Sequence, residues 1–396
     1  MTDLDTHVAA ARPGAPRRAA PALLGYAAVR ALGLIVLAAW SAARGKSAYT
    51  LLTARWDSLW YARVAGPGYG YEVRLPNGDV HSDLAFFPLL PWLERLLAAV
   101  VPLSYADAGF VVALLASLAA AWGIFAVADH LYGGRAGICA VLLWAVLPVG
   151  IVQSMAYSES LFTALAAWSL YAVLTDRWVT AGTLALLAGL TRPVGLAVVA
   201  AVWAAAIASF VRSRSATPAD GAPAAAHAPT ADVRRALGML LAPLGAAGYV
   251  LWVGHRTGRG PLGYLDVQAG WRNGFDGGYA FARFVAGKFT SFPSALAGLG
   301  LIIGVALVIR LYVTGVRQRQ PLPLLVYSGL VTALALCASS YFGSKPRLLL
   351  PAFPLLLPLA LALARLRTSG SALVLGGAAV AGAVYGAFWL NGSGPP

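Results

Sequence analysis

Asp57 stands just beyond an apolar run, in the stretch Thr53-Ala54-Arg55-Trp56-Asp57-Ser58-Leu59-Trp60-Tyr61-Ala62-Arg63-Val64-Ala65. Apolar residues at 56, 59, 60 and 64 repeat at helical spacing, and two of them are tryptophans. That pattern predicts a short helix at a membrane interface, with Asp57 in its first turn at the water–lipid boundary. A carboxylate so placed can stabilise the helix start through the macrodipole. Partly desolvated, it can also act as a general base. The same loop continues through Glu72, Asp79, His81 and Asp83 to an aromatic-proline ledge, Ala85-Phe86-Phe87-Pro88-Leu89-Leu90-Pro91. Asp79, His81 and Asp83 could be imagined around a metal, but they crowd one Gly/Asn loop with no second histidine near, so no metal is expected. Outside Asp3-Leu4-Asp5 in the N-terminal tail there is no Asp-x-Asp pair, which argues against a metal-dependent nucleotide-sugar transferase.

Three further junctions carry ionisable groups where an apolar run is broken: Tyr157-Ser158-Glu159-Ser160, Thr191-Arg192-Pro193 and Gly343-Ser344-Lys345-Pro346-Arg347. A single Arg at a membrane boundary commonly snorkels to water and does nothing more. Arg192, Lys345 and Arg347 together with Asp57 and Asp83 describe something else: a pocket with acids inside and cationic walls, suited to a phosphate.

The elements that must position these groups are membrane helices. The chain has 396 residues, of which 59% are apolar and only 11% charged, with a mean hydropathy of +0.72. A soluble domain carries about 25% charged residues, so an ordinary soluble enzyme, a disordered protein and a coiled coil are excluded. Apolar runs fall at about 21–42, 106–130, 137–155, 158–175, 178–191, 194–211, 237–253, 294–316, 322–342, 348–366 and 371–391. They predict an all-α polytopic bundle of roughly 10–12 transmembrane helices, with interfacial helices in a large first extracytoplasmic loop. The broken run 85–103 is expected to lie at the interface or partly buried; a further span there would invert everything after it.

The net charge of +14 comes almost wholly from Arg. It is ascribed to loops that orient the chain rather than to a nucleic-acid partner. With the N-terminus in the cytoplasm, the short cytoplasmic connections hold Arg135, Arg177 and the groups at 212–214, 234–235, 310–319 and 365–367. The short outer ones hold only Arg192, Lys345 and Arg347, the expected asymmetry. This gives a disordered cytoplasmic tail, 1–20, and one membrane domain, 21–392. Within that domain lie a first outer loop at 43–105 with the catalytic residues, an Ala/Pro-rich cytoplasmic linker at 212–236 and a second long outer loop at 254–293. Arg30 and the length of 21–43 favour a retained first helix; the alternative is a signal peptide cleaved near Trp40-Ser41-Ala42-Ala43. Cys139 and Cys337 lie in apolar runs and suggest neither a disulfide nor zinc.

Arg55-Trp56-Asp57, then Tyr61, Ala65 and Gly68-Tyr69, then Ala85-Phe86-Phe87-Pro88-Leu89-Leu90-Pro91, resemble the first luminal loop of the PIG-V-type mannosyltransferases. That family includes the enzyme adding the second mannose of GPI anchors, and bacterial relatives. Tyr157-Ser158-Glu159-Ser160-Leu161-Phe162, Thr191-Arg192-Pro193-Val194-Gly195 and Pro346-Arg347-Leu348 through Pro354 resemble its later blocks in the same order, over about 50–360. The resemblance implies the GT-C superfamily of polytopic glycosyltransferases, which take a sugar from a polyprenyl phosphate outside the cytoplasm. It implies Asp57, with Asp83 near the family's second loop acid, as catalytic residues; the junction cations Arg192, Lys345 and Arg347 are expected at the donor phosphate, and Arg55, Trp56, Tyr61 and Glu159, which lie in the resembling blocks, at the substrate. The insertion Leu75-Pro76-Asn77-Gly78-Asp79 departs from the pattern just before Asp83.

The expected activity is then inverting transfer of mannose from a polyprenyl-phosphate donor to a glycan, lipid or protein acceptor at the outer face of a cell membrane, with no cofactor and no metal. An Ala- and Arg-rich, Lys-poor chain suggests a GC-rich bacterial genome, where GPI synthesis is absent and the acceptor is open. A transporter or flippase is the rival; it would place ionisable residues near the midplane and show paired halves, whereas here the acids gather in one loop and no internal repeat is found. A non-catalytic scaffold would leave the clustering of Asp57, Asp83, Arg192 and Arg347 unexplained.

Overall fold

The structure, a computed structural model, describes residues 15–215, 229–339 and 341–392. The chain opens with α1 (Ala15–Ala43), a short α2 (Ala48–Thr53) and α3 (Asp57–Ala65). A hairpin of β1 (Glu72–Arg74) and β2 (Val80–Ser82) precedes α4 (Leu89–Val100). The bundle continues with α5 (Tyr105–Tyr132), α6 (Gly134–Ala145), α7 (Ser158–Leu174), α8 (Trp178–Gly189) and α9 (Gly195–Ser215). After the segment outside the described residues come α10 (Pro229–Leu241) and α11 (Leu244–Thr257), then α12 (Gly263–Gly270), β3 (Gly274–Phe275) and α13 (Tyr279–Ala286). The last elements are α14 (Phe292–Arg317), α15 (Leu322–Cys337), β4 (Ala338–Ser339), α16 (Lys345–Leu348), α17 (Leu357–Arg365) and α18 (Thr368–Leu390).

This is an all-α polytopic membrane architecture. Six helices among the described residues are long and apolar enough to cross a bilayer: 17–43, 105–132, 195–215, 230–257, 292–317 and 368–390. Two further apolar helical segments, Phe342–Leu348 and Phe353–Arg365, form a bent pair meeting at 75°. Four apolar helices of 10–17 residues, α6, α7, α8 and α15, account for the other apolar runs. The expected ten to twelve segments therefore separate into full-length spans and shorter helices. The short ones sit inward because their residues are small: Ala166, Ala167, Ala181, Ala185 and Ala188 are fully buried. By contrast only 6% of the apolar window of 292–317 is covered by protein, so its side chains face outward from the bundle.

Two boundaries differ from the sequence expectation. Residues 1–14 lie outside the described residues, but 15–20, expected in the tail, are helical; Ala19 is buried and Arg18 binds Asp129 at 2.5 Å. Alanine is the best helix former and needs little room against a neighbour. Of the linker 212–236, residues 216–228 lie outside the described residues, while its ends continue α9 and begin α10. The run 85–103 holds the amphipathic α4, which buries Leu90, Pro91 and Glu94 and exposes Trp92 and Leu96.

Candidate active site

Four interruptions of helix meet at one end of the bundle, and each delivers one charged side chain. The first is the α2–α3 turn. Trp56 there has φ +53°, a left-handed conformation uncommon for a bulky residue. It reverses the chain so that Asp57 begins α3, and the Arg55 guanidinium lies 4.0 Å from the Trp56 ring centroid. Ser58 ties the turn by accepting from the Arg55 amide at 3.1 Å and donating to its carbonyl at 2.6 Å. Backbone strain of this kind tends to gather at functional sites.

The second interruption, 146–157, separates α6 from α7. Buried Arg30 of α1 donates to the Ala145 and Gly150 carbonyls there, and Gln153 donates to Trp144 O at 2.8 Å. A Cβ at Gly150 would lie 2.7 Å from Ala145 O, so the glycine permits the close approach. Glu159 follows in the first turn of α7, where the helix dipole favours an acid. Arg192 comes from the third interruption, Thr191-Arg192-Pro193, between α8 and α9. Arg347 comes from the fourth, α16 in the bent pair, where Pro346 cannot donate a backbone hydrogen bond.

These four side chains form one network. Arg347 Nη1 donates to Asp57 Oδ2 at 2.8 Å, and its Nε lies 3.2 Å from Glu159 Oε1. Arg192 Nη1 pairs with the same Glu159 oxygen. Exposure rises across the network: side chains are 1% exposed at Glu159, 9% at Arg347, 15% at Arg192 and 25% at Asp57. The cluster is therefore open on its Asp57 side. Tyr157 lies beneath Arg347, 5.1 Å from ring centroid to guanidinium carbon, and Tyr61 shares a 2.8 Å hydrogen bond with Ser158. Glu159 thus sits at the centre, a position its place in an apolar run does not announce.

Beside the cluster stands an aromatic wall. Trp60 stacks on Phe86 (5.6 Å, 5°) and meets Trp271 edge-on at 4.9 Å, while Tyr61 meets Phe86 at 5.2 Å. The inward face of α3 is Ser58, Tyr61, Val64 and Ala65; of the Trp56/Leu59/Trp60/Val64 stripe, Val64 is buried, Trp56 and Trp60 are half-buried and Leu59 is exposed. Trp271, from the second long loop, was missed; it donates to Ser82 O at 3.0 Å and joins the two loops. Its contacts span about 190 residues, so no local pattern reports them.

The other predicted site residues are elsewhere. Asp83 is fully buried and accepts the Tyr71 amide at 2.9 Å and the Gly70 amide at 3.0 Å, closing the base of the hairpin. Burial pushes its carboxyl above the usual range, opposed by the Tyr71 and Gly70 amides. Lys345 is 3% exposed and donates to the carbonyls of Ala335 (2.8 Å), Ala338 (2.7 Å) and Leu336 (3.4 Å), capping the end of α15. Neither side chain joins the Asp57–Arg347–Glu159–Arg192 network. His81 stacks on Trp271 at 4.0 Å, and burial lowers its basicity; Asp79 pairs with Arg272 at 2.6 Å. Asp79, His81 and Asp83 thus serve three separate partners, and no three His, Cys, Asp or Glu side chains group as metal ligands among the described residues.

No protein-family model matches the chain, and no curated protein matches its sequence. Solved structures do match in fold. ArnT from Cupriavidus metallidurans in the apo state aligns with a TM-score of 0.50 and 16% identity, covering 79% of this chain and 56% of ArnT. The same protein bound to undecaprenyl phosphate aligns with a TM-score of 0.52 and 15% identity, covering 88% of this chain and 62% of ArnT. The chain therefore spans about three fifths of ArnT's length. At this identity the likeness is one of architecture alone: a polytopic helical membrane bundle shared with ArnT.

Proposed function

We infer that this chain is a membrane glycosyltransferase that moves a mannosyl residue from a polyprenyl-phosphate donor to an acceptor hydroxyl on the extracytoplasmic face, with inversion. The observation that carries the reading is the convergence of Asp57, Glu159, Arg192 and Arg347 from four interrupted helices at one end of the bundle. Asp57, the most exposed of the four, takes the acceptor hydroxyl proton. The freed oxygen attacks the anomeric carbon from the face opposite the donor phosphate. The bond from that carbon to the phosphate oxygen breaks, and its electron pair leaves with polyprenyl phosphate. Arg347 and Arg192 stabilise the charge that gathers on the departing phosphate. The wall of Trp60, Phe86 and Trp271 offers an apolar surface beside the acid, as sugar rings with their C–H faces favour.

The polyprenyl donor is supported by the fold shared with ArnT and by ArnT having been solved with undecaprenyl phosphate bound. Mannose and the outer face are supported by the PIG-V-like blocks and the Arg asymmetry of the short loops. Asp83 and Lys345 are assigned to holding the hairpin and the α15 end, and Arg55, Trp56 and Tyr61 to shaping the turn on which Asp57 sits. The test is mass spectrometry of the sugar moved from labelled polyprenyl-phosphate donors by wild-type protein and by Asp57→Asn. The expected result is mannose transfer that falls about 100-fold or more in the variant while the protein stays folded. Near-normal turnover in Asp57→Asn would remove Asp57 as the base.

A further inference from the structure

We propose that the donor phosphate and Asp57 compete for Arg347, so that the base is latched until the donor arrives. The cluster holds two carboxylates and two guanidiniums, and each guanidinium is already committed to a carboxylate. Glu159 cannot yield: it is 1% exposed, it is shared by both arginines, and an unpaired charge there is costly. Asp57 can yield, because it is the most exposed member and, among the described residues, makes a single ion pair. An anion entering from that open side meets Arg347 with Asp57 on it. Two anions close to one guanidinium repel each other, so occupancy by phosphate drives Asp57 off.

Two consequences follow from this geometry. Donor binding precedes release of the base, which fixes an order of events. Glu159 becomes a positioning residue: it touches no reacting atom in this scheme, but it keeps Arg347 and Arg192 in place when Asp57 leaves. The left-handed Trp56 lies at the natural pivot for that movement.

The competition presupposes the phosphate role proposed above, and the two can fail separately. The probe is undecaprenyl phosphate, titrated into the full-length protein in nanodiscs. Wild-type protein should bind it; no binding would remove the phosphate role itself. Asp57→Asn, which removes the competing charge and keeps the side-chain shape, should bind about tenfold more tightly, the scale of one partly buried ion pair. Asp57→Glu, which keeps the charge, should stay within about twofold of wild type. Unchanged or weaker binding in folded Asp57→Asn, or equal tightening in Asp57→Glu, would overturn the competition. Should Asp57→Asn fail to fold, hydrogen exchange of the wild-type protein decides: peptide 54–65 should exchange faster with undecaprenyl phosphate bound, and equal or slower exchange would overturn the latch.

Discussion

Replacing Asp83 by Asn separates a structural acid from a chemical one. Asp83 Oδ2 accepts from Gly70 at 3.0 Å and Tyr71 at 2.9 Å, and Oδ1 lies 3.2 Å from the same Gly70 amide. An Asn can keep one oxygen toward the two amides. Its NH2 then faces the Gly70 N–H, donor against donor, and the remaining bonds lose their charge assistance. A charge-assisted hydrogen bond contributes about 1.5–3 kcal/mol and a neutral one about 0.5–1.5. Two bonds so weakened lose about 2 kcal/mol, partly offset because the buried charge is itself expensive. The expected net loss is about 1 kcal/mol, seen as a lower melting midpoint in nanodiscs, with turnover per folded molecule kept within a few-fold. The pH dependence carries a sign. Burial raises the Asp83 carboxyl above its ordinary value, so the folded state holds its proton to higher pH than the unfolded chain. Between the two values the native state binds more protons, and stability falls as pH rises, levelling off above the raised value. Asp83→Asn should lose that sloping segment. An Asn variant that melts like wild type but loses about 100-fold in turnover would refute the structural assignment and return Asp83 to the chemistry.

Two further outcomes are expected. Lys345→Met should lower stability by about 2–4 kcal/mol, since three carbonyls at the α15 end lose a buried cationic donor, while undecaprenyl-phosphate affinity stays unchanged; weaker binding with an unchanged melt would place Lys345 at the phosphate. Gly109→Ala should destabilise by about 1–3 kcal/mol, because its Cβ would lie 2.4 Å from the Glu94 carboxylate, which is 1% exposed; an unaltered melting curve would show that Glu94 moves freely.

The bundle was legible because its solvent is lipid. An apolar run needs no partner to be recognised, and each predicted run contains a helix. The ends were less legible where small residues decide: 17–20 looks like tail by composition, yet Ala19 is buried and Arg18 holds an ion pair. Arg192, Glu159 and Arg347 could be found because an ionisable group beside a break in an apolar run is costly without a purpose. Their partners could not be assigned, since pairing depends on how four breaks converge. Lys345 illustrates the limit. Its sequence setting matches that of Arg347 two residues on, but the turn of α16 sends one cation to the α15 carbonyls and the other to Asp57. Trp271 left no local signal, because its partners Trp60, His81 and Phe86 all belong to the first long loop.

The order of the four charged residues along the chain bears on biogenesis. Synthesis delivers Asp57 and Glu159 first, then Arg192, and Arg347 only near the end. A chain made only as far as α7 carries Glu159 with neither of its cations yet present, and an unpaired buried charge is costly. Glu159 gains Arg192 first and Arg347 last, and Asp57 gains its partner only with Arg347, so the network closes only once α16 has been made.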